Sequence, residues 1–76
     1  MIMITSFKEH QVFELANDIN PVVKKGMHGV ILIKYDQKNF EVEFVKEDGS
    51  NYEYNGQSTF TINISDINLL VNLNLF

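Results

Sequence analysis

The stretch Gly26-Met27-His28-Gly29-Val30-Ile31-Leu32-Ile33-Lys34-Tyr35-Asp36-Gln37-Lys38-Asn39-Phe40-Glu41-Val42-Glu43-Phe44-Val45-Lys46-Glu47-Asp48-Gly49 decides the fold, because it holds two strands and the turns around them. Gly26 and Gly29 bracket Met27-His28, the pattern of a tight turn or bulge that needs a positive φ just before a strand. From Val30 to Ile33 the chain is apolar and largely β-branched, and the run through Lys34 predicts a central strand buried on both faces or nearly so. Asp36 to Asn39 is a polar turn. Phe40 to Val45 then alternates, which points Val42 and Phe44 inward and Glu41 and Glu43 outward. Glu47-Asp48-Gly49 supplies the next hairpin turn, with Gly49 where a left-handed backbone is tolerated.

Working outward, Phe7 to Glu14 reads as a short helix or the run into a strand, and the alternation of Phe13 and Leu15 with Glu14 and Ala16 favours a strand around Val12 to Ala16. Asn17 to Pro21 is a loop, since Pro21 forces Asn20 out of the helical region. Downstream, Asn51 to Tyr54 and Thr59 to Ile64 predict two short strands around Asn55-Gly56-Gln57-Ser58. Ser65 to Asn68 predicts one turn of 3₁₀ helix capped by Ser65 or Asp66. Leu69 to Leu73 offers a closing strand. Short strands at regular spacing predict an all-β fold, a small barrel in which closure removes exposed edges. The alternating Leu73 and Leu75 fit either barrel closure or a homodimer through an edge strand.

The chain has 76 residues, enough for a single domain over 1–76 near the lower size limit of an independent core. It contains no cysteine, which excludes disulfides, thiolate metal sites and a cysteine nucleophile, and suits a reducing cytoplasm. The apolar start from Met1 to Phe7 is too short for a signal or membrane segment, so a soluble cytoplasmic protein with no membrane association is expected. Six basic residues, all lysine, stand against ten acidic ones, a formal net charge of −4. A chain without arginine is poorly equipped to neutralise phosphates or read bases, which argues against a nucleic-acid partner. An acidic surface favours a basic protein partner or simply keeps a small protein soluble.

The order of elements resembles a family of short bacterial domains with an SH3-like barrel. The family pattern has a first strand ending Leu-x-x-Asp-Ile/Leu, matched by Leu15, Asp18 and Ile19. A Gly-x-x-Gly turn into an apolar strand follows, matched by Val23, Gly26, Gly29, Ile31 and Leu32. The Val-Glu-Phe hairpin comes next, matched by Phe40, Val42, Glu43, Phe44 and Gly49. The likeness spans residues 7 to 70. The loop before Val23 is one residue shorter than the pattern and Tyr54 to Thr59 is longer. The resemblance implies a partly open SH3-like barrel of about five strands with one 3₁₀ turn. Such domains are often encoded beside toxins of bacterial competition systems, so the resemblance implies an immunity protein that binds and neutralises a cognate toxin, with a basic nuclease domain as the expected partner. Glycine-led β turns also occur in KOW-type barrels that bind RNA or ribosomes, and that is the alternative.

The residues carry little sign of catalysis. His10 and His28 lack further ligands at metal spacing, and no metal or other cofactor is expected. Asp36 and the Glu47-Asp48 pair fall in turns, where acidic residues belong for conformational reasons. Neither a nucleophile elbow nor a phosphate loop occurs, so an enzyme is not expected. The constellation with functional weight is Glu41 and Glu43 on one face of the surest strand. If Asn51 to Tyr54 pairs with that strand, Glu53 joins them and three carboxylates share a surface. Like charges in register cost stability, and two readings follow: a patch that mimics phosphate in a nuclease groove, or a wet face compensated by Lys34, Lys38 and Lys46. Asp48 and the aromatic Tyr35 are the remaining candidate contacts with a partner. Tyr52 and Tyr54 alternate with Glu53, which places them on the opposite face from it.

Overall fold

A computed structural model describes residues 7–68. Strands β1 (Val12–Glu14), β2 (His28–Lys34), β3 (Asn39–Glu43) and β4 (Phe60–Asn63) precede one 3₁₀ turn, Ile64–Asp66. The strands form one antiparallel sheet in the order β1-β2-β3-β4. The chain is thus an all-β protein over the described residues. The expected closing strand from Leu69 to Leu73, and Leu73 and Leu75 with it, lie outside them.

One face of the sheet makes the core. Phe13 and Leu15 from the first strand and its extension, Ile31 from β2, Phe40, Val42 and Phe44 from β3 and its extension, and Phe60 and Ile62 from β4 are buried together with Phe7, Val23 and Ile67. Burying one such side chain contributes about 1.5–3 kcal/mol. Phe13 meets Phe44 edge-on with centroids 5.7 Å apart, and Phe44 meets Phe60 at 6.1 Å. Alternation in β3 is as the sequence predicts, with Val42 and Phe44 buried and Glu41 and Glu43 half-buried on the other face.

β2 departs from the expectation of burial on both faces. Gly29 and Ile31 are buried, Val30 and Leu32 are half-buried, and Ile33 is 44% exposed. Only one face of the sheet packs on the core, and a β-bulge decides which residues turn away from it: Ile31 pairs with Val42 while Ile33 pairs with the next residue back, Glu41, so Leu32 is the extra residue. A bulge interrupts the period of two, and Ile33 turns to the outer face instead of following Ile31 inward. Gly29 also differs from its reading as a turn glycine. Its φ is not positive, and a Cβ there would lie 2.6 Å from Phe13 Cζ and 2.8 Å from Phe44 Cε1. It is a contact glycine that lets two rings cover the strand, whereas Gly26 does take the positive φ, +93°.

The run from Asn51 to Tyr54 is not a strand. The Lys46–Ser50 turn closes as expected, with Gly49 at φ +89°, and Val45 bridges Asn51. After Tyr52 N–H donates to Phe44 O at 2.9 Å, the chain leaves the ladder. It makes its own two-residue turn at Asn55-Gly56, both at positive φ, where Tyr54 and Gln57 exchange backbone hydrogen bonds of 2.9 and 3.0 Å. This is the geometry that Asn-Gly favours. The chain rejoins β3 at Phe60, opposite Val42. The 3₁₀ turn starts one residue before its predicted place and is capped by Asn63 rather than Ser65. Asn63 Oδ1 accepts from Ser65 N–H at 3.0 Å, and Asp66 Oδ2 accepts from Asn63 N–H at 3.1 Å. Beyond the turn, Ile67 bridges Leu15, flanked by Ala16 N–H to Asp66 O and Asn68 N–H to Glu14 O.

Candidate functional site

The outer face of β3 is built by register. Glu41 stands between Ile33 of β2 and Thr61 of β4, and Glu43 stands opposite Val30 of β2. Glu41 is held by three hydroxyls. Thr61 Oγ1 donates to Oε1 at 2.6 Å, Tyr35 OH to the same oxygen at 3.2 Å, and Thr59 Oγ1 to Oε2 at 2.8 Å. Glu43 Oε1 accepts from Asn51 Nδ2 at 3.0 Å. Both acidic side chains are therefore met across the sheet by uncharged donors and not by another carboxylate.

Hydrogen bonds to the charged form favour ionisation. The Thr61 hydroxyl is the main cause that keeps the Glu41 carboxyl below the usual range, with Thr59 and Tyr35 adding to it against the opposing effect of partial burial. Tyr35 moves the other way. Loss of water around the phenol and then the Glu41 charge raise it. Ion pairs do not neutralise this face: those among the described residues are Lys24 with Asp18 at 3.8 Å and His28 with Glu14 at 3.6 Å. Two of the three lysines expected to compensate act elsewhere, and Lys34 forms no ion pair among those of the described residues. Lys38 and Lys46 act on the turn aspartates Asp36 and Asp48, and Lys46 Nζ also sits 5.3 Å from the centre of the Tyr52 ring.

The structure distributes the other sequence candidates. Glu53, expected beside Glu41 and Glu43, is exposed on the segment that leaves the ladder, and the place opposite Glu41 belongs to Thr61. Asp48 is at the tip of the next turn, where it accepts from Ser50 N–H at 2.9 Å and Ser50 Oγ at 2.6 Å. Those bonds hold its carboxyl below the ordinary value. Tyr35 is 56% exposed and joins Glu41 directly. Tyr52 and Tyr54 pack against the core while Glu53 faces solvent, as their alternation predicts.

Thr59, Thr61 and Asn51 were not singled out from sequence. The signal for the threonines is Thr59-Phe60-Thr61-Ile62, whose alternation puts both hydroxyls outward once Phe60 and Ile62 go in.

Two concavities open on the surface, and the first of them includes Glu41. One of about 400 Å³ is lined by Ile19, Asn20, Glu41, Tyr54, Gln57 and Phe60 together with the two threonines. The other, about 300 Å³, lies between the Gly26-Met27-His28 segment, Val45 and Tyr52. Among the described residues no group of three or more His, Asp or Glu side chains is arranged to hold a metal ion, and no helix is long and apolar enough to cross a membrane. Neither a protein-family model, a curated protein nor a solved structure matches the chain.

Proposed function

We propose that this protein is a cytoplasmic immunity protein, one that binds a cognate bacterial toxin with a basic surface, a nuclease domain by preference, and neutralises it without chemistry of its own. One observation carries the reading. Glu41 and Glu43 stand in register on the outer face of β3, fixed by hydroxyl and amide donors and left without an ammonium partner among the described residues. Ordered carboxylates without counter-charges steer a basic partner and reward its docking. The resemblance to short SH3-like barrel domains points to the same class of function. The Leu15–Ile67 bridge supports that architecture, because it ties the chain after β4 back to β1 at the far edge of the sheet.

The test is co-purification of the tagged protein with the catalytically inactivated product of the adjacent gene, followed by binding at several salt concentrations. An equimolar complex is expected, and Glu41→Lys with Glu43→Lys should weaken it and flatten its salt dependence. Glu53→Lys, which lies off this face, should have the smaller effect. Undiminished affinity of the double variant would reject the acidic face as the contact, and capture of ribosomal RNA instead of a protein would reject the immunity reading.

A further inference from the structure

The groove beside Glu41 has more structure than a charged face requires. Its lining includes a carboxylate whose orientation is set by three hydroxyls. A carboxylate offers about four lone-pair positions; two on Oε1 and one on Oε2 are used, so one acceptor position on Oε2 remains. The walls are rigid for local reasons. Tyr54 and Gln57 are the paired ends of the Asn55-Gly56 turn. Asn20, also in the lining, is fixed because its Oδ1 accepts from Val22 N–H at 2.9 Å and Val23 N–H at 2.8 Å. Ile19 and Phe60 contribute apolar surface.

We infer that this groove is a socket for one arginine side chain of a protein partner. Its size, about 400 Å³, lies toward the lower end of ligand pockets and leaves ample room for one side chain. The guanidinium donates to the open position on Glu41 Oε2, and its planar face has the Tyr54 ring to lie against. Guanidinium prefers such an aromatic wall over the point-charge geometry of ammonium. Because the walls are preformed, little ordering opposes binding. The inference deepens the immunity reading and rests on its basic partner, naming the residue type that enters.

A titration of the whole protein with a blocked Gly-Arg-Gly peptide, followed by ¹H–¹⁵N resonances, tests the socket without any toxin, so its outcome is separate from that of the co-purification. Saturable shifts at Asn20, Gln57, Thr59 and Thr61 are expected. The isosteric citrulline peptide should bind weaker by on the order of ten-fold, the scale of one charge-assisted hydrogen bond. Glu41→Gln should have the same effect on the arginine peptide, with retained resonance dispersion reporting the fold. Tyr54→Leu keeps the carboxylate and should weaken arginine more than lysine. The inference is overturned by unsaturable shifts, by equal binding of the citrulline peptide, or by a lysine peptide that binds as well as arginine.

Discussion

Gly29→Ala tests the packing that sets the sheet's inner face. The added Cβ would lie 2.6 and 2.7 Å from two atoms of the Phe13 ring and 2.8 Å from Phe44. Carbon atoms rest at about 3.5–4.0 Å, so both rings must retreat by roughly 1 Å. Neither has room: Phe13 is 2% exposed, Phe44 is fully buried, and Phe44 is backed by Phe60. Overpacking of this kind costs about 1–3 kcal/mol, and the involvement of two core rings places it in the upper half. A domain of this size is stable by about 4–11 kcal/mol, and each kcal/mol moves the midpoint by about 4–8 °C. Thermal unfolding followed by near-UV circular dichroism should therefore show a fall of roughly 8–24 °C. The decisive measurement is a double-mutant cycle with Phe13→Leu, which removes the nearest ring edge. The pair should be less destabilising than the sum by more than about 0.5 kcal/mol, the limit of ordinary additivity. Gly49→Ala is also destabilising, through its φ of +89°, but meets no atom within 4 Å, so Phe13→Leu should not relieve it. A midpoint loss under about 4 °C, or an additive cycle, would refute the account of Gly29 as a contact glycine.

Two further outcomes follow from the hydrogen bonds. Glu41 ionises more readily in the folded protein than in the unfolded chain. Its stabilising contribution is complete above the unfolded value, about 4.3, and is lost as pH falls through the lower folded value. Urea midpoints should drop between pH 6 and pH 3, and Glu41→Gln should shallow that dependence without abolishing it, since Asp36 and Asp48 shift in the same direction; an unchanged slope would show that the three hydroxyls do not stabilise the charged form. Asn63→Ala removes the acceptor for Ser65 N–H and should cost about 1 kcal/mol in urea unfolding. Asn63→Asp, which retains the capping oxygen, should recover most of that, and equal losses in the two variants would reject the capping role.

What was legible in the sequence is what neighbouring residues decide among themselves. Alternation in Phe40 to Phe44 assigned inside and outside, and Asn55-Gly56 and Glu47-Asp48-Gly49 marked their turns, where Asn55, Gly56 and Gly49 take positive φ. The bulge at Leu32 was not legible, because nothing in Val30 to Lys34 announces an extra residue. The pairing of Phe13 and Phe44 over Gly29 joins residues far apart in the chain. Nor was the positive φ of His10 legible, since histidine is enriched in that region yet enters it only in a small minority of cases.

The candidate site divides along the same line. Sequence alone placed Glu41 and Glu43 on one outer face, because a strand has a period of two. Only the tertiary structure decided what stands beside them. The segment after the hairpin turn holds the extension of β3 at Val45 and Phe44 and then gives way to β4. Hydroxyls from Thr59 and Thr61 thereby replace the carboxylate of Glu53 that the nearest hairpin would have supplied. The identity of a strand's neighbour is a competition between distant segments for the same backbone hydrogen bonds, and local pattern does not settle it.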